Sequence, residues 1–120
     1  MNTFYEYAGC DTCKKAKKWL AAHDVKVNIV PIVESPPSRE ELTRFIAKSG
    51  LPAKKWINTS GQSYRAIVQA HGKDAVDAWT DAKLIAAFAK DGKLIKRPVL
   101  VTKSKVLVGF RDEAYKTELL

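Results

Sequence analysis

One stretch decides the fold of this chain, TFYEYAGCDTCKKA at residues 3–16. Its first five residues are rich in aromatic and β-branched types, which favours a strand, and Gly9 then permits a sharp turn. From Cys13 onward the apolar residues recur at helical spacing. The stretch therefore predicts a strand, a turn and a helix, and the only two cysteines of the chain, Cys10 and Cys13, lie at the start of that helix.

A cysteine at the start of a helix is well placed for thiol chemistry. The free N–H groups and the positive end of the helix dipole favour a thiolate at Cys10, and the lysines that follow add positive charge. Cys13 lies one turn later, where we expect it to be more buried and able to attack a mixed disulfide at Cys10. The spacing therefore predicts Cys10 as the nucleophile and Cys13 as the resolving cysteine.

Two other roles for the cysteines compete with redox chemistry. Zinc would need a second pair of ligands, and His23 and His71 are single, distant in sequence and outside any finger-like spacing, so no metal site is predicted. A buried structural pair of cysteines is the plainer alternative. The strand, turn and helix around Cys10 and Cys13 favour the redox role over it.

The length and composition fit one compact domain. The chain has 120 residues, 46% of them hydrophobic, which is enough to form one core. No apolar run reaches the length of a membrane span, and the first residues lack the pattern of a signal peptide, so we expect a cytoplasmic protein that does not contact a membrane. Two cysteines do not form a disulfide scaffold, which favours a catalytic or sensing pair in a reducing compartment.

The formal net charge of +8 raises the question of nucleic acid binding. The sequence shows neither basic residues interleaved with exposed aromatics nor a recognisable reading helix, so no direct contact with nucleic acid is predicted. A solvated basic face is the plain interpretation, and steering of an anionic substrate or an acidic partner is the alternative. Much of the charge falls in two groups, Lys14, Lys15, Lys17 and Lys18, then Lys93, Lys96, Arg97, Lys103 and Lys105.

The rest of the chain continues as a strand, a series of helices, a hairpin and a last helix. Alternation predicts a strand at 25–30, and the capping box of Ser38 and Glu41 starts the next helix. Two short apolar runs on either side of a turn predict a β-hairpin. The other predicted elements are helical segments at 54–57, 64–70 and 80–90, hairpin strands at 99–101 and 106–108, and a helix at about 112–119.

This order of elements predicts an α/β fold. We expect a thioredoxin-like mixed sheet packed between helices, with a helical insertion between a β-α-β half and a β-β-α half. The whole chain, 1–120, is expected to form one domain. Its core would comprise about 1–34 and 93–120, and the insertion about 38–91.

A second motif, Arg97-Pro98, opens the hairpin. Proline at the start of a strand has no N–H to donate, so the groups before it are free to face a neighbour. In thioredoxin-like folds that neighbour is the cysteine motif and the bond is cis, so we predict a cis peptide between Arg97 and Pro98. Arg97 would then approach Cys10 and hold a thiolate or a bound oxyanion. Its alternative role is that of a surface arginine covering the sheet edge.

Three further residues are candidates for supporting the oxyanion or the fold. They are Thr12 in the cysteine motif, Pro98, and Arg111 at the end of the hairpin. An exposed arginine at the start of a helix is an equally good interpretation of Arg111.

Four segments resemble a known family, and they occur in order along almost the whole chain. They are YAGCDTCKKA at 7–16, NTSG at 58–61, LIKRP at 94–98 and VLVGF at 106–110. In these segments the chain resembles the ArsC/Spx family, which includes glutaredoxin-dependent arsenate reductases and the Spx/MgsR transcriptional regulators. The resemblance implies a thioredoxin-like core with a helical insertion, a nucleophilic Cys10 and a supporting Arg97.

The family resemblance implies two kinds of function. Its arsenate reductases attack arsenate with the first cysteine, bind the oxyanion with arginines, and use glutathione and glutaredoxin to complete the reduction. Its Spx-like regulators use a CxxC disulfide as a switch while bound to the RNA polymerase alpha subunit. Members commonly carry an arginine in the segment that reads NTSG at 58–61 here, whereas Arg65 lies several residues further on.

These features lead to one expectation with one alternative. We expect an arsenate reductase-like thiol-disulfide oxidoreductase with a small-molecule or thiol substrate, no bound cofactor, and glutathione or glutaredoxin as the electron donor. The alternative is a redox-sensing regulator that binds RNA polymerase. The second cysteine, Cys13, suits a self-resolving enzyme or a regulator better than an arsenate reductase, which needs only one cysteine in the motif.

Overall fold

A computed structural model describes residues 2–120 and contains one four-stranded sheet. The strands are β1 (Asn2–Glu6), β2 (Val27–Pro31), β3 (Val99–Val101) and β4 (Val106–Val108), arranged in the order β2-β1-β3-β4. β1 is parallel to β2 and antiparallel to β3, and β3 is antiparallel to β4. The predicted α/β class with a mixed sheet is confirmed.

Helices make up most of the remaining chain. They are α1 (Asp11–Ala22), α2 (Arg39–Ser49), α3 (Gln62–His71), α4 (Lys73–Asp77), α5 (Asp81–Lys90) and α6 (Asp112–Leu119), with single 3-10 turns at Ala53–Trp56 and Gly92–Leu94. α2 begins at the predicted capping box, in which Ser38 Oγ accepts the Glu41 N–H and Glu41 Oε1 accepts the Ser38 N–H, both at 3.1 Å. No helix within residues 2–120 is long and apolar enough to cross a membrane.

The central strand β1 separates two apolar clusters. Phe4 faces α1 and α6, whereas the next residue, Tyr5, faces the helices between β2 and β3, as the alternation of side chains along a strand requires. The first cluster contains Phe4, Ala16, Trp19, Leu20, Leu100 and Tyr115. The second includes Tyr5, Leu42, Trp56, Leu84 and Phe88. Both faces of the sheet are therefore covered by helices.

The predicted strand at 25–30 is wrong at its start. Asp24 adopts a left-handed conformation (φ 56°), and the Val25 N–H donates to the Leu20 carbonyl at 2.9 Å to close the end of α1. Val25 therefore closes the end of α1, and Val25 and Lys26 lie outside the strand, which begins at Val27. The strand instead runs on to Pro31, which an edge strand tolerates because its outer donors need no partner.

Candidate thiol site

Cys10 is the N-cap residue of α1. Its backbone is extended (φ −94°, ψ 115°), and its Sγ accepts the Cys13 N–H at 3.2 Å. Its own N–H donates to the Tyr7 carbonyl at 3.0 Å, which fixes the turn between β1 and the helix. A sulfur atom thus stands where serine, threonine or aspartate oxygens usually cap a helix. The positive end of the α1 dipole therefore lies at the partly exposed thiol of Cys10.

Cys13 has the predicted deeper position. Its exposed fraction is 0%, and burial is the main reason why its pKa is raised to about 12. The neighbouring Cys10 raises this pKa further, whereas the Tyr7 backbone N–H and Arg97 lower it. At neutral pH Cys13 is therefore a protonated thiol directly behind the more accessible sulfur of Cys10.

Cys10 opens into a cleft of about 420 Å³, here called the Cys10 cleft. Four parts of the chain form it, namely the start of α1, the loop before α3, the loop before β3, and the end of β4. The cleft is lined by Cys10, Thr12, Asn58, Ser60, Lys96, Arg97, Val108, Gly109, Phe110 and Arg111. Four predicted site residues, Cys10, Thr12, Arg97 and Arg111, therefore meet at one cavity, and Pro98 is buried.

Arg97 lies partly buried at the Cys10 cleft and not across a sheet edge. The predicted cis peptide between Arg97 and Pro98 is present. The guanidinium carbon lies 4.6 Å from the centre of the Tyr7 ring, and Nη1 donates to the Lys93 carbonyl at 3.3 Å. Its Nε is buried without a hydrogen-bond partner. The ring and the carbonyl hold the cation in place, and its remaining donors can serve an anion.

Sequence reasoning did not single out Asn58, Ser60 or Lys96 as site residues. An isolated bridge between Ile57 and Ile95 brings their two segments together, and the Lys96 N–H donates to the Trp56 carbonyl at 2.7 Å. For Lys96 the signal was its place beside Arg97 in the second basic group. Asn58 and Ser60 belong to NTSG at 58–61, one of the four segments that resemble the family, and that resemblance was the signal that could have identified them as site residues.

The Cys10 cleft has a strongly cationic lining. Lys96, Arg97 and Arg111 contribute three positive charges, and no aspartate or glutamate is among the described lining residues. Arg65, the arginine nearest to the NTSG segment, lies outside this lining and donates to the Ser60 carbonyl at 3.1 Å. Within residues 2–120, His, Cys, Asp and Glu side chains form no group of three that could hold a metal ion. The electrostatics of the cleft favour an anionic group near Cys10.

The fold has a mixed sheet, a cysteine pair at the start of the first helix, and a loop beside that pair that ends in a cis-proline. These features define the thioredoxin-like class of fold. Within that class the chain belongs to the ArsC family, whose model matches residues 5–117.

Individual relatives cover nearly the whole chain. It is 43% identical to the protein YusI of Bacillus subtilis over 113 residues, which are 94% of this chain and 93% of YusI. It is 27% identical to the regulatory protein MgsR of the same species, over 90% of this chain and 82% of MgsR. A crystal structure described as a possible arsenate reductase from Streptococcus mutans is 38% identical, with a TM-score of 0.84 over 97% of this chain and 98% of that one.

Proposed function

We propose that the protein is a cytoplasmic thiol-disulfide oxidoreductase in which Cys10 attacks and Cys13 resolves. The observation that carries this proposal is the position of the Cys10 sulfur. It caps α1 and faces a cleft whose lining residues include three cations and no aspartate or glutamate. A thiolate is the reactive form of cysteine, and a helix start and neighbouring cations both stabilise a thiolate.

The reaction consists of two displacements. The Cys10 thiolate attacks one sulfur of a substrate disulfide, forms a mixed disulfide and expels the other sulfur as a thiolate. Cys13 then loses its proton and attacks the Cys10 sulfur, which breaks the mixed disulfide and releases the second thiolate. The chain is left with a Cys10–Cys13 disulfide. A thiol donor, glutathione or glutaredoxin, returns it to the dithiol state by the same exchange chemistry.

The lining of the Cys10 cleft supports an anionic substrate. Arg97 and Arg111 offer planar donors suited to oxyanions, and Lys96 adds a third positive charge. Arsenate and the carboxylates of glutathione fit this chemistry, and the similarity to the Streptococcus mutans protein supports the arsenate reductase-like reading. In this proposal Thr12 and Pro98 support the site, Thr12 at the cleft wall and Pro98 by fixing the backbone after Arg97.

Replacing Cys13 with serine should stop the reaction after its first step. Treated with oxidised glutathione, Cys13→Ser should accumulate a glutathione adduct at Cys10, whereas the wild type proceeds to the internal disulfide. Burial raises the pKa of the Cys13 thiol, so its thiolate form is minor at neutral pH and grows as the pH rises, and wild-type resolution should accelerate between pH 7 and 9. Intact-mass spectrometry of acid-quenched samples measures both effects. Equal accumulation of the adduct in both proteins would contradict the role of Cys13.

A second candidate function is a redox-sensing regulator that binds RNA polymerase. The similarity to MgsR and the complete pair of cysteines favour it. In this function, formation of the disulfide changes a binding surface and no substrate turns over. A pull-down with the polymerase alpha subunit under oxidising and reducing conditions tests it. Binding in one state only is expected, and no binding in either state would end this candidate.

A further inference from the structure

The Cys10 cleft combines positive charge with an apolar wall. Besides its three cations, the cleft is lined by Val108 and Phe110, whose side chains are here called the apolar wall. Both residues are partly buried and pack against the core, and the part that stays exposed borders the cleft. No step of the proposed reaction uses either side chain. The apolar wall is therefore free to select what binds beside Cys10.

A glycine turn brings the two side chains of the apolar wall to the same cavity. Gly109 adopts the left-handed conformation (φ 77°) directly after β4, and its N–H donates to the Pro98 carbonyl at 2.8 Å. In a continuing strand, Val108 and Phe110 would face the same side of the sheet. Instead Val108 packs on the second apolar cluster and Phe110 on the first, while both line the cleft.

Aromatic contacts hold Phe110 in a defined orientation. Its ring meets the ring of Tyr115 edge to face, with centroids 4.8 Å apart and planes at 90°. Tyr115 is fully buried and makes the same kind of contact with Trp19 at 5.4 Å. Edge-to-face pairs are a preferred aromatic geometry. Phe110 is therefore a preformed apolar surface at the cleft.

Two of the cations lie directly beside the apolar wall. Arg111 follows Phe110 in the chain, and Lys96 Cε lies 3.9 Å from the position that a Cβ on Gly109 would occupy. Cys10 lines the same cavity. A ligand that uses both kinds of surface must therefore carry an anionic group and an apolar group close to each other and to the atom that Cys10 attacks.

The size of the Cys10 cleft also favours an organic ligand. Its volume of about 420 Å³ corresponds to about fourteen water molecules at about 30 Å³ each. Arsenate is a single tetrahedral oxyanion and would leave most of this volume, including the apolar wall, to water. Clefts that hold organic ligands have volumes of about 300–1,000 Å³ and fix the ligand with a few polar groups.

We propose that the substrate is a disulfide of a small organic thiol that carries both a carboxylate and an apolar group, and that Phe110 and Val108 determine this specificity. The three cations bind the carboxylate by charge complementarity, and the apolar group covers the apolar wall and removes it from water. The reaction of this substrate rests on the function proposed above, whereas its binding does not.

Binding is tested with unreactive thioethers. The probe, S-methyl-N-phenylacetylcysteine, carries a carboxylate and an apolar ring. One control, S-methyl-N-acetylcysteine, lacks the ring, and the other, the carboxamide of the probe, lacks the charge. In the wild-type protein the probe should shift the Val108 methyl and Phe110 ring resonances and bind at least about fivefold more tightly than either control. Equal affinity for the probe and either control would overturn the proposal.

Truncation of the apolar wall should remove the preference for the ring. Phe110→Ala should bind the probe and the acetyl control within about twofold of each other. Ile29→Ala is the matched control and should keep the wild-type preference, because Ile29 is an apolar residue on β2, 51% exposed and outside the cleft lining. Val108→Thr keeps the β-branched shape, adds a hydroxyl to the wall and should reduce the preference at least about twofold. Full preference in either folded wall variant would overturn the proposal.

Reactive forms of the same compounds separate this proposal from the proposed function. A thiopyridyl disulfide replaces the S-methyl group, and attack by Cys10 on the sulfur of the acylated cysteine forms a mixed disulfide and expels the absorbing thiopyridine thiolate. Each rate is divided by the rate of the same compound with free glutathione, which removes differences in intrinsic reactivity. Wild type should react at least about fivefold faster with the phenylacetyl acid than with the acetyl acid. Binding without release of thiopyridine would refute the thiol function alone. Release at equal corrected rates would refute the proposed specificity alone.

Discussion

The Cys10→Ser protein should react with dithiobis-nitrobenzoate at least about a hundredfold more slowly than the wild type, measured as the rate of nitrothiobenzoate release. The serine hydroxyl is not ionised at neutral pH, and the only other thiol, Cys13, is buried and protonated. Stopped-flow absorbance of the released nitrothiobenzoate gives the rate directly. Serine is a preferred N-cap residue, so α1 should keep its start and the thermal unfolding midpoint should change little. Any loss of rate then reports chemistry and not folding.

Cys13→Ser is the matched control for this substitution. It removes the other sulfur but leaves the attacking one, so the first thiolate should be released at nearly the wild-type rate. A Cys10→Ser protein that reacts within about tenfold of the wild type would assign the nucleophile to Cys13 and contradict the proposed mechanism. The pair of variants therefore identifies which sulfur attacks, independently of the natural substrate.

Gly92→Ala should destabilise the fold by about 3 kcal/mol or more. A Cβ on Gly92 would lie 1.9 Å from the Ile32 carbonyl oxygen and 2.7 Å from its carbon, and both are backbone atoms. Ile32 cannot easily move away, because its side chain is fully buried and its N–H donates to the Glu6 carbonyl at 2.9 Å. The free energy of unfolding in urea, followed by tryptophan fluorescence, measures the effect.

Gly50→Ala provides the comparison with the same chemical change. Gly50 ends α2 in the left-handed conformation (φ 72°, ψ 7°) and has nothing within 4 Å of the added Cβ, so alanine there encounters backbone strain of about 1–2 kcal/mol but no clash. Gly92→Ala should therefore be the more damaging substitution. If the two variants lost equal stability, the close approach of Gly92 to Ile32, at the end of β2, would not be a structural requirement.

Parts of the fold with strong local signals were predicted to the residue. Both hairpin strands and the last helix have the predicted bounds, because a polar turn divides two apolar runs and Asp112 begins a helical pattern. The short helix α4, Lys73–Asp77, was not predicted. Five residues carry too little periodicity to identify a helix, and α4 depends on packing of the buried Val76.

The candidate site was predicted where its residues are local or tied to proline. The spacing of Cys10 and Cys13 predicts the wall of the Cys10 cleft that α1 forms. The proline after Arg97 predicts that Arg97 lies on the facing wall. The position of Asn58 and Ser60 beside Arg97 could not be predicted, because their segments are far apart along the chain. Two contacts join these segments: the bridge between Ile57 and Ile95, and the hydrogen bond from the Asn58 N–H to the Leu94 carbonyl at 2.8 Å. No periodic pattern encodes such a pairing.

The sulfur of Cys10 has two tasks at once, because the atom that can form a disulfide also accepts the Cys13 N–H at the start of α1. A side-chain cap is worth about 0.5–2 kcal/mol to a helix. By the closure of a thermodynamic cycle, any part of that energy lost on oxidation must also appear in the redox equilibrium of the pair, at about 30 mV for each 1.4 kcal/mol. The first turn of α1 therefore couples helix stability to the reduction potential of the cysteine pair. Fraying of that turn would report the oxidation state of the protein.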